Sequence, residues 1–134
     1  MRLPDWRERL SLVMRRHADE PFTWGRSDCF LLAMDVCEAI LGTDPYADER
    51  GRYRSAVGAA RRLRRRGFGS PEDALAAVSI LIEPAAVLPG DIAIVDDVSG
   101  GEAMAVVTGR LIEGKGVAGA IRLPLTAAKR AYRF

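Results

Sequence analysis

The sequence predicts an α+β fold, helical in its first half and strand-rich in its second. Three observations carry this expectation. Apolar residues recur at helical spacing up to about residue 78. From Pro89 onward, short β-branched runs alternate with glycine-bearing turns. The 134 residues suffice for one hydrophobic core and are too few for two, so a single domain spanning 1–134 is expected.

The elements follow in order. A first helix is expected over Asp5–His17, with Asp5 as cap and Glu8 completing a capping box. Trp6, Leu10, Val13, Met14 and His17 share one face of it, and arginines take the others. A turn through Pro21-Phe22-Thr23-Trp24-Gly25 leads to a second helix over Cys29–Leu41, capped by Ser27 or Asp28 and ended by Gly42. That helix is apolar almost all round, as a buried central helix is. A third is expected over Ser55–Arg66, stopped by Gly67. Ser70-Pro71-Glu72-Asp73 opens a short fourth ending near Val78. Strands are expected over Ile92–Val95, Ala103–Thr108, Arg110–Ile112, Val117–Leu123 and Ala128–Phe134, with a turn at Gly114-Lys115-Gly116. Together they suggest a small curled antiparallel sheet.

Composition excludes several classes. About half the residues are apolar, a globular level. No apolar run approaches the ~20 residues of a membrane span. Arg2, Arg7 and Arg9 precede a charged stretch rather than the apolar block of a secretory signal. The net charge is +2, whereas a globally basic nucleic-acid binder is more lopsided. Cys29 and Cys37 lie eight residues apart on one helix, about 12 Å. That is too far for a disulfide. One His and two Cys supply no zinc set, and no cofactor or metal is expected.

The sharpest chemical feature is Trp24-Gly25-Arg26-Ser27-Asp28-Cys29, which places a cysteine in the first turn of a buried helix. Free N–H groups and the helix dipole there favour a thiolate, so a lowered pKa is expected. The same N–H groups suit an oxyanion. Equally, a free cysteine is commonly a small buried hydrophobe.

Phe22, Trp24, Gly25, Asp28 and Cys29, then an apolar helix, then Pro89-Gly90-Asp91 opening a strand, resemble the NlpC-type papain-like cysteine peptidases. Those enzymes cut cell-wall peptides and often accompany phage tails. More closely, the chain resembles an uncharacterised phage and prophage family related to them. Pro21-Phe22, Trp24-Gly25, Asp28-Cys29, Gly42, Asp44-Pro45, Arg50-Gly51, Tyr53, Gly58-Ala59-Ala60-Arg61 and Pro89-Gly90-Asp91 carry this resemblance. It implies a papain-like domain with Cys29 at the nucleophile position. It also implies a histidine opening the strand after Pro-Gly-Asp, where Ala103 stands instead. Without a base, a thiol at neutral pH is only a few per cent thiolate. Cys29 is therefore expected to be a vestigial nucleophile. The resemblance implies a non-catalytic tail protein, at the tail tip or in its assembly. It would sit in the virion, and in the host cytoplasm during assembly. Its partners would be other tail proteins, with a homo-oligomer compatible. An active cell-wall hydrolase using Cys29 is the alternative.

Three further features have simpler readings. His17, the only imidazole, reads as a core-edge histidine rather than a base. Arg61, Arg62, Arg64, Arg65 and Arg66 read as a solvated or protein-contacting helix end. Nucleic-acid contact is the second alternative, disfavoured by the absence of interleaved aromatics. Asp44, Asp96 and Asp97 lack the spacing of a calcium loop and read as turn residues.

Overall fold

The helices form where local signals agree with burial. In this computed structural model, which describes all residues 1–134, helix α1 spans Trp6–Asp19, α2 Cys29–Leu41, α3 Ala56–Arg65 and α4 Pro71–Ala76. The expected cap of α2 resolves to Asp28, whose carboxylate accepts from Leu31 N at 2.9 Å. Gly42 ends α2 with φ +83°, the left-handed conformation glycine permits. Ser55 and Ser70 cap α3 and α4. The capping box at Asp5 does not form: its side chain makes no cap bond, and α1 runs on to Asp19.

Six antiparallel strands make one sheet in the order β1-β6-β2-β3-β4-β5. They are β1 Ile80–Ile82, β2 Ile92–Asp96, β3 Glu102–Val107, β4 Leu111–Gly116, β5 Gly119–Pro124 and β6 Arg130–Arg133. The fold is therefore α+β. β1 is an addition to the expected set. It is three residues long, and Ile80 and Leu81 stay 68% and 66% exposed on the sheet border. At the other border, β5 carries Arg122 and Pro124.

The expected turn at Gly114-Lys115-Gly116 is instead the end of β4, and the chain reverses at Val117-Ala118. The reason is Lys115. Its ammonium is buried and donates to the carbonyls of His17 (3.2 Å) and Glu20 (2.9 Å) and to Ser27 Oγ. Gly114 allows β4 to close on Ala105, since a Cβ there would lie 3.3 Å from that residue. Burial pushes the Lys115 amine below the usual lysine range.

The centre of the sheet is covered on both faces. Ile92, Ile94, Met104, Val106 and Tyr132 join the main core with Phe30, Leu31, Leu32 and Leu75. Ala93, Val95, Ala103, Ala105, Val107 and Ile112 form a second layer behind it, closed by Val87, Leu123 and Leu125. This explains the unbroken apolar run of β2, where one wet face would have given alternation. Cys29 and Cys37 are free thiols, as their separation requires.

α1 is fastened to α2 by charge. Arg9 donates to the carbonyls of Ala39 (3.1 Å) and Glu38 (3.3 Å), complementing the negative end of α2. At mid-helix, the buried Asp35 carboxylate accepts from Arg16, His17 and Arg50, each at 2.6 Å. Burial alone would raise its pKa. The bonds from His17 and the charges of Arg50 and Arg16 outweigh burial and hold it below the usual carboxylate range. Such a group contributes stability in full above its unfolded value near pH 4, and the contribution is lost as pH falls below that. Asp35→Asn is expected to cost about 2–4 kcal/mol at pH 7. Urea unfolding between pH 7 and pH 2 should show a shallower acid decline for this variant than for the wild type.

Candidate functional site

The segment before α2 is built as a clip. Thr23 and Ser27 exchange backbone bonds at 3.0 and 2.8 Å, closing a tight loop around Trp24-Gly25-Arg26. Gly25 has φ +79°, and a Cβ there would sit 2.0 Å from the Tyr53 carbonyl oxygen. Only glycine fits. Its carbonyl accepts from Gly51 N at 2.8 Å, and its N–H donates to Asp28 Oδ2 at 2.9 Å. The Tyr53 hydroxyl donates to the same oxygen at 2.6 Å. Burial and the Asp28 charge keep that phenol protonated far above the usual tyrosine range. Trp24 is braced edge-on by Phe22, with ring centroids 4.9 Å apart.

Cys29 follows as the first residue of α2. It opens on a cleft of about 140 Å³ lined by Trp24, Phe30, Ala59, Leu63, Pro71 and Glu102 among others. The backbone amides of Met104 on β3, Cys29 and Phe30 favour its thiolate. The expected lowering of its pKa is nevertheless reversed. Burial comes first and the neighbouring Asp28 charge adds to it, so the thiol is pushed up to about 11. At this helix start, burial and the Asp28 charge together outweigh the dipole and the backbone amides.

The counterpart on β3 also differs from expectation. Ala103 belongs to the layer behind the sheet and points away from Cys29. The β3 side chains on the cysteine's side are Met104 and Val106, in the main core, and Glu102, in the cleft. Glu102 accepts from Arg130 at 2.6 Å and pairs with Lys129 at 2.8 Å. These bonds hold its carboxyl below the usual range, so it has little affinity for the thiol's proton.

His17 does not reach this cleft. Asp35 can only accept, so His17 Nε2–H donates to it. Nδ1 faces Ser27 Oγ at 3.3 Å. Ser27, His17 and Asp35 are the residue types of a hydrolytic triad, but Ser27 and His17 are 2% and 4% exposed and Ser27 already accepts from Lys115. A hydroxyl sealed in this way reaches no substrate. The group is a structural network joining α1, α2, β4 and the Cys29 clip. The sequence offered Ser27 only as a helix cap and Lys115 only as a turn residue. The one available signal was a lone lysine inside an apolar, glycine-flanked strand.

The arginine run divides. Arg62 pairs with Glu49, and Arg66 with both Glu49 (3.1 Å) and Asp48 (2.9 Å), while stacking over Tyr46. Arg61, Arg64 and Arg65 stay exposed. Among the acids, Asp44 caps Tyr46 N and pairs with Arg50. Asp96 pairs with Lys129, and Asp97 holds Ser99 in the β2–β3 turn. These are turn and ion-pair roles, and nowhere do three His, Cys, Asp or Glu side chains group as a metal site would require.

These features define a class: an α+β protein whose cysteine-bearing helix packs on an antiparallel sheet. The chain belongs to a family described as a domain of unknown function, DUF6950, whose match runs over residues 1–134. No curated protein and no solved structure matches it.

Two outcomes test this geometry. Cys29 should react with iodoacetamide only slowly at pH 7.5, the rate rising steeply as pH approaches 11, as mass spectrometry of the labelled peptide would show. Gly25→Ala should lose on the order of 3 kcal/mol or more in chemical denaturation, since it combines left-handed strain with a backbone clash.

Proposed function

We propose that the protein is a non-catalytic phage or prophage tail protein built on a degenerate NlpC-type, papain-like domain. One observation carries the non-catalytic part. The Cys29 thiol lies at the start of its helix with no imidazole in the cleft, and burial holds it protonated. Nucleophilic attack needs the thiolate, and peptide hydrolysis also needs a group that returns a proton to the leaving amine. The chain's single histidine is committed to Asp35 and Ser27.

The tail assignment rests on the sequence resemblance. What supports using it is that the fragments carrying it meet in space. Gly25, Asp28, Gly51 and Tyr53 are bonded to one another. Arg50 joins Asp44 to Asp35, and a Cβ on Gly58 would touch Tyr53 at 3.3 Å. Asp91, fully buried, accepts from Arg133 and from Leu88 N as it launches β2. The shared residues are thus explained as a scaffold around a helix start, with no catalytic role needed. On this reading the partners are other tail proteins and the site of action is the virion.

The test pairs two measurements. Wild type and Cys29→Ala should both leave purified peptidoglycan uncut. In a phage carrying this gene, Cys29→Ala should give wild-type titres while a deletion yields tailless particles. Peptide release by the wild type that disappears in Cys29→Ala would establish a hydrolase instead. Normal particles from the deletion would remove the tail role.

A further inference from the structure

The net charge of +2 conceals a strong separation of charge. Residues 50–69 hold eight arginines and no acidic residue. The rest of the chain, with twelve basic and eighteen acidic residues, is net −6. Within the basic segment, Arg50, Arg62 and Arg66 are neutralised by Asp35, Asp44, Asp48 and Glu49. The other five, Arg52, Arg54, Arg61, Arg64 and Arg65, are exposed and make no ion pair.

Their placement is directional. At 100° per residue, Val57, Arg61, Arg64 and Arg65 fall on one stripe of α3 about 100° wide. Leu63, on the far side, is buried in the core. Arg62 and Arg66 lie between the two and turn toward the acidic 3₁₀ turn Ala47–Glu49. Arg54 immediately precedes the cap Ser55 and extends the stripe at its start, with Arg52 just before it. The ion pairs therefore use the arginines on the inner flank and leave the outward ones free.

We propose that this face of α3 and the loop before it bind the phosphate backbone of double-stranded nucleic acid, without reading sequence. Two features favour this over an acidic protein surface. A protein interface has an apolar centre within a polar rim, and here Val57 is the sole apolar side chain among five cations. Phosphate contact needs only cations at the spacing of a helix face. No aromatic side chain on the stripe could stack on an unpaired base, which points to duplex rather than single strand. The face is separate from the Cys29 cleft and stands whether or not the tail assignment holds.

The test is a salt titration with a random-sequence DNA duplex of about 20 base pairs, followed by fluorescence anisotropy. Five phosphate contacts give a slope of log K against log salt near −4.5. Replacing Arg61, Arg64 and Arg65 together by Gln should reduce it to near −1.8. The triple Lys variant at these positions should keep the wild-type slope. Replacing Arg15, Arg26 and Arg110 by Gln, three exposed arginines elsewhere, should leave the slope unchanged; circular dichroism would establish that all variants fold. Absence of binding at about 20 mM salt, roughly sevenfold below physiological ionic strength, would overturn the proposal. Equal losses from the two Gln triples would do so too, as would binding of polyglutamate but not of DNA.

Discussion

A single buried carboxylate, Asp28, holds three segments of the chain in one place. It accepts from Leu31 N in α2, from Gly25 N in the preceding loop, and from the Tyr53 hydroxyl beyond the second helix. A carboxylate with almost no solvent contact is costly unless its lone pairs are filled. Here three donors fill them, two of them backbone groups that would otherwise be orphaned. The clip therefore removes two problems at once, the desolvated charge and the open first turn of α2. It also bears on Cys29: burial is the larger cause, and the adjacent Asp28 charge adds to it in raising the thiol's pKa against the helix dipole.

Around this clip, polar groups form a buried frame. Lys115 from β4, Ser27 from the loop, His17 from α1 and Asp35 from α2 are bonded in sequence, and no buried side-chain polar atom lacks a partner. Buried ionic groups of this kind rarely add net stability over apolar packing. They do restrict which arrangements of the elements are tolerated, because any slip leaves a charge unpaired. The frame joins parts of the chain up to 98 residues apart, and through it the helical half is registered on the sheet half.

The α2 helix was legible in the sequence because its start and stop signals are local: Asp28 before it and Gly42 after it. The helical half followed for the same reason. Legibility failed where long-range contacts outvoted local ones. Gly114-Lys115-Gly116 has turn composition, yet Lys115 finds its partners in α1 and the clip, so the strand continues. β1 was invisible because three consecutive apolar residues have no period, and they become a strand only by pairing with β6. The position matched to the histidine, Ala103, faces the rear layer, because along a strand one residue of offset moves a side chain through the sheet. The Cys29 thiol was expected to be acidic from its position on the helix, whereas burial depends on what the rest of the fold places above it. In the arginine run, the pairing of Arg62 and Arg66 depended on an acidic turn more than ten residues upstream.

The sheet's borders are unequally defended. β5 ends its run with a proline and carries an arginine, both of which discourage an approaching strand. β1 presents Ile-Leu-Ile with no charge, no proline and no bulge, and two of its three side chains lie open to water. A border of this kind accepts backbone hydrogen bonds from whatever extended chain comes near. The β1 margin is therefore the side of the sheet open to strand addition, and a lysine introduced there would guard it.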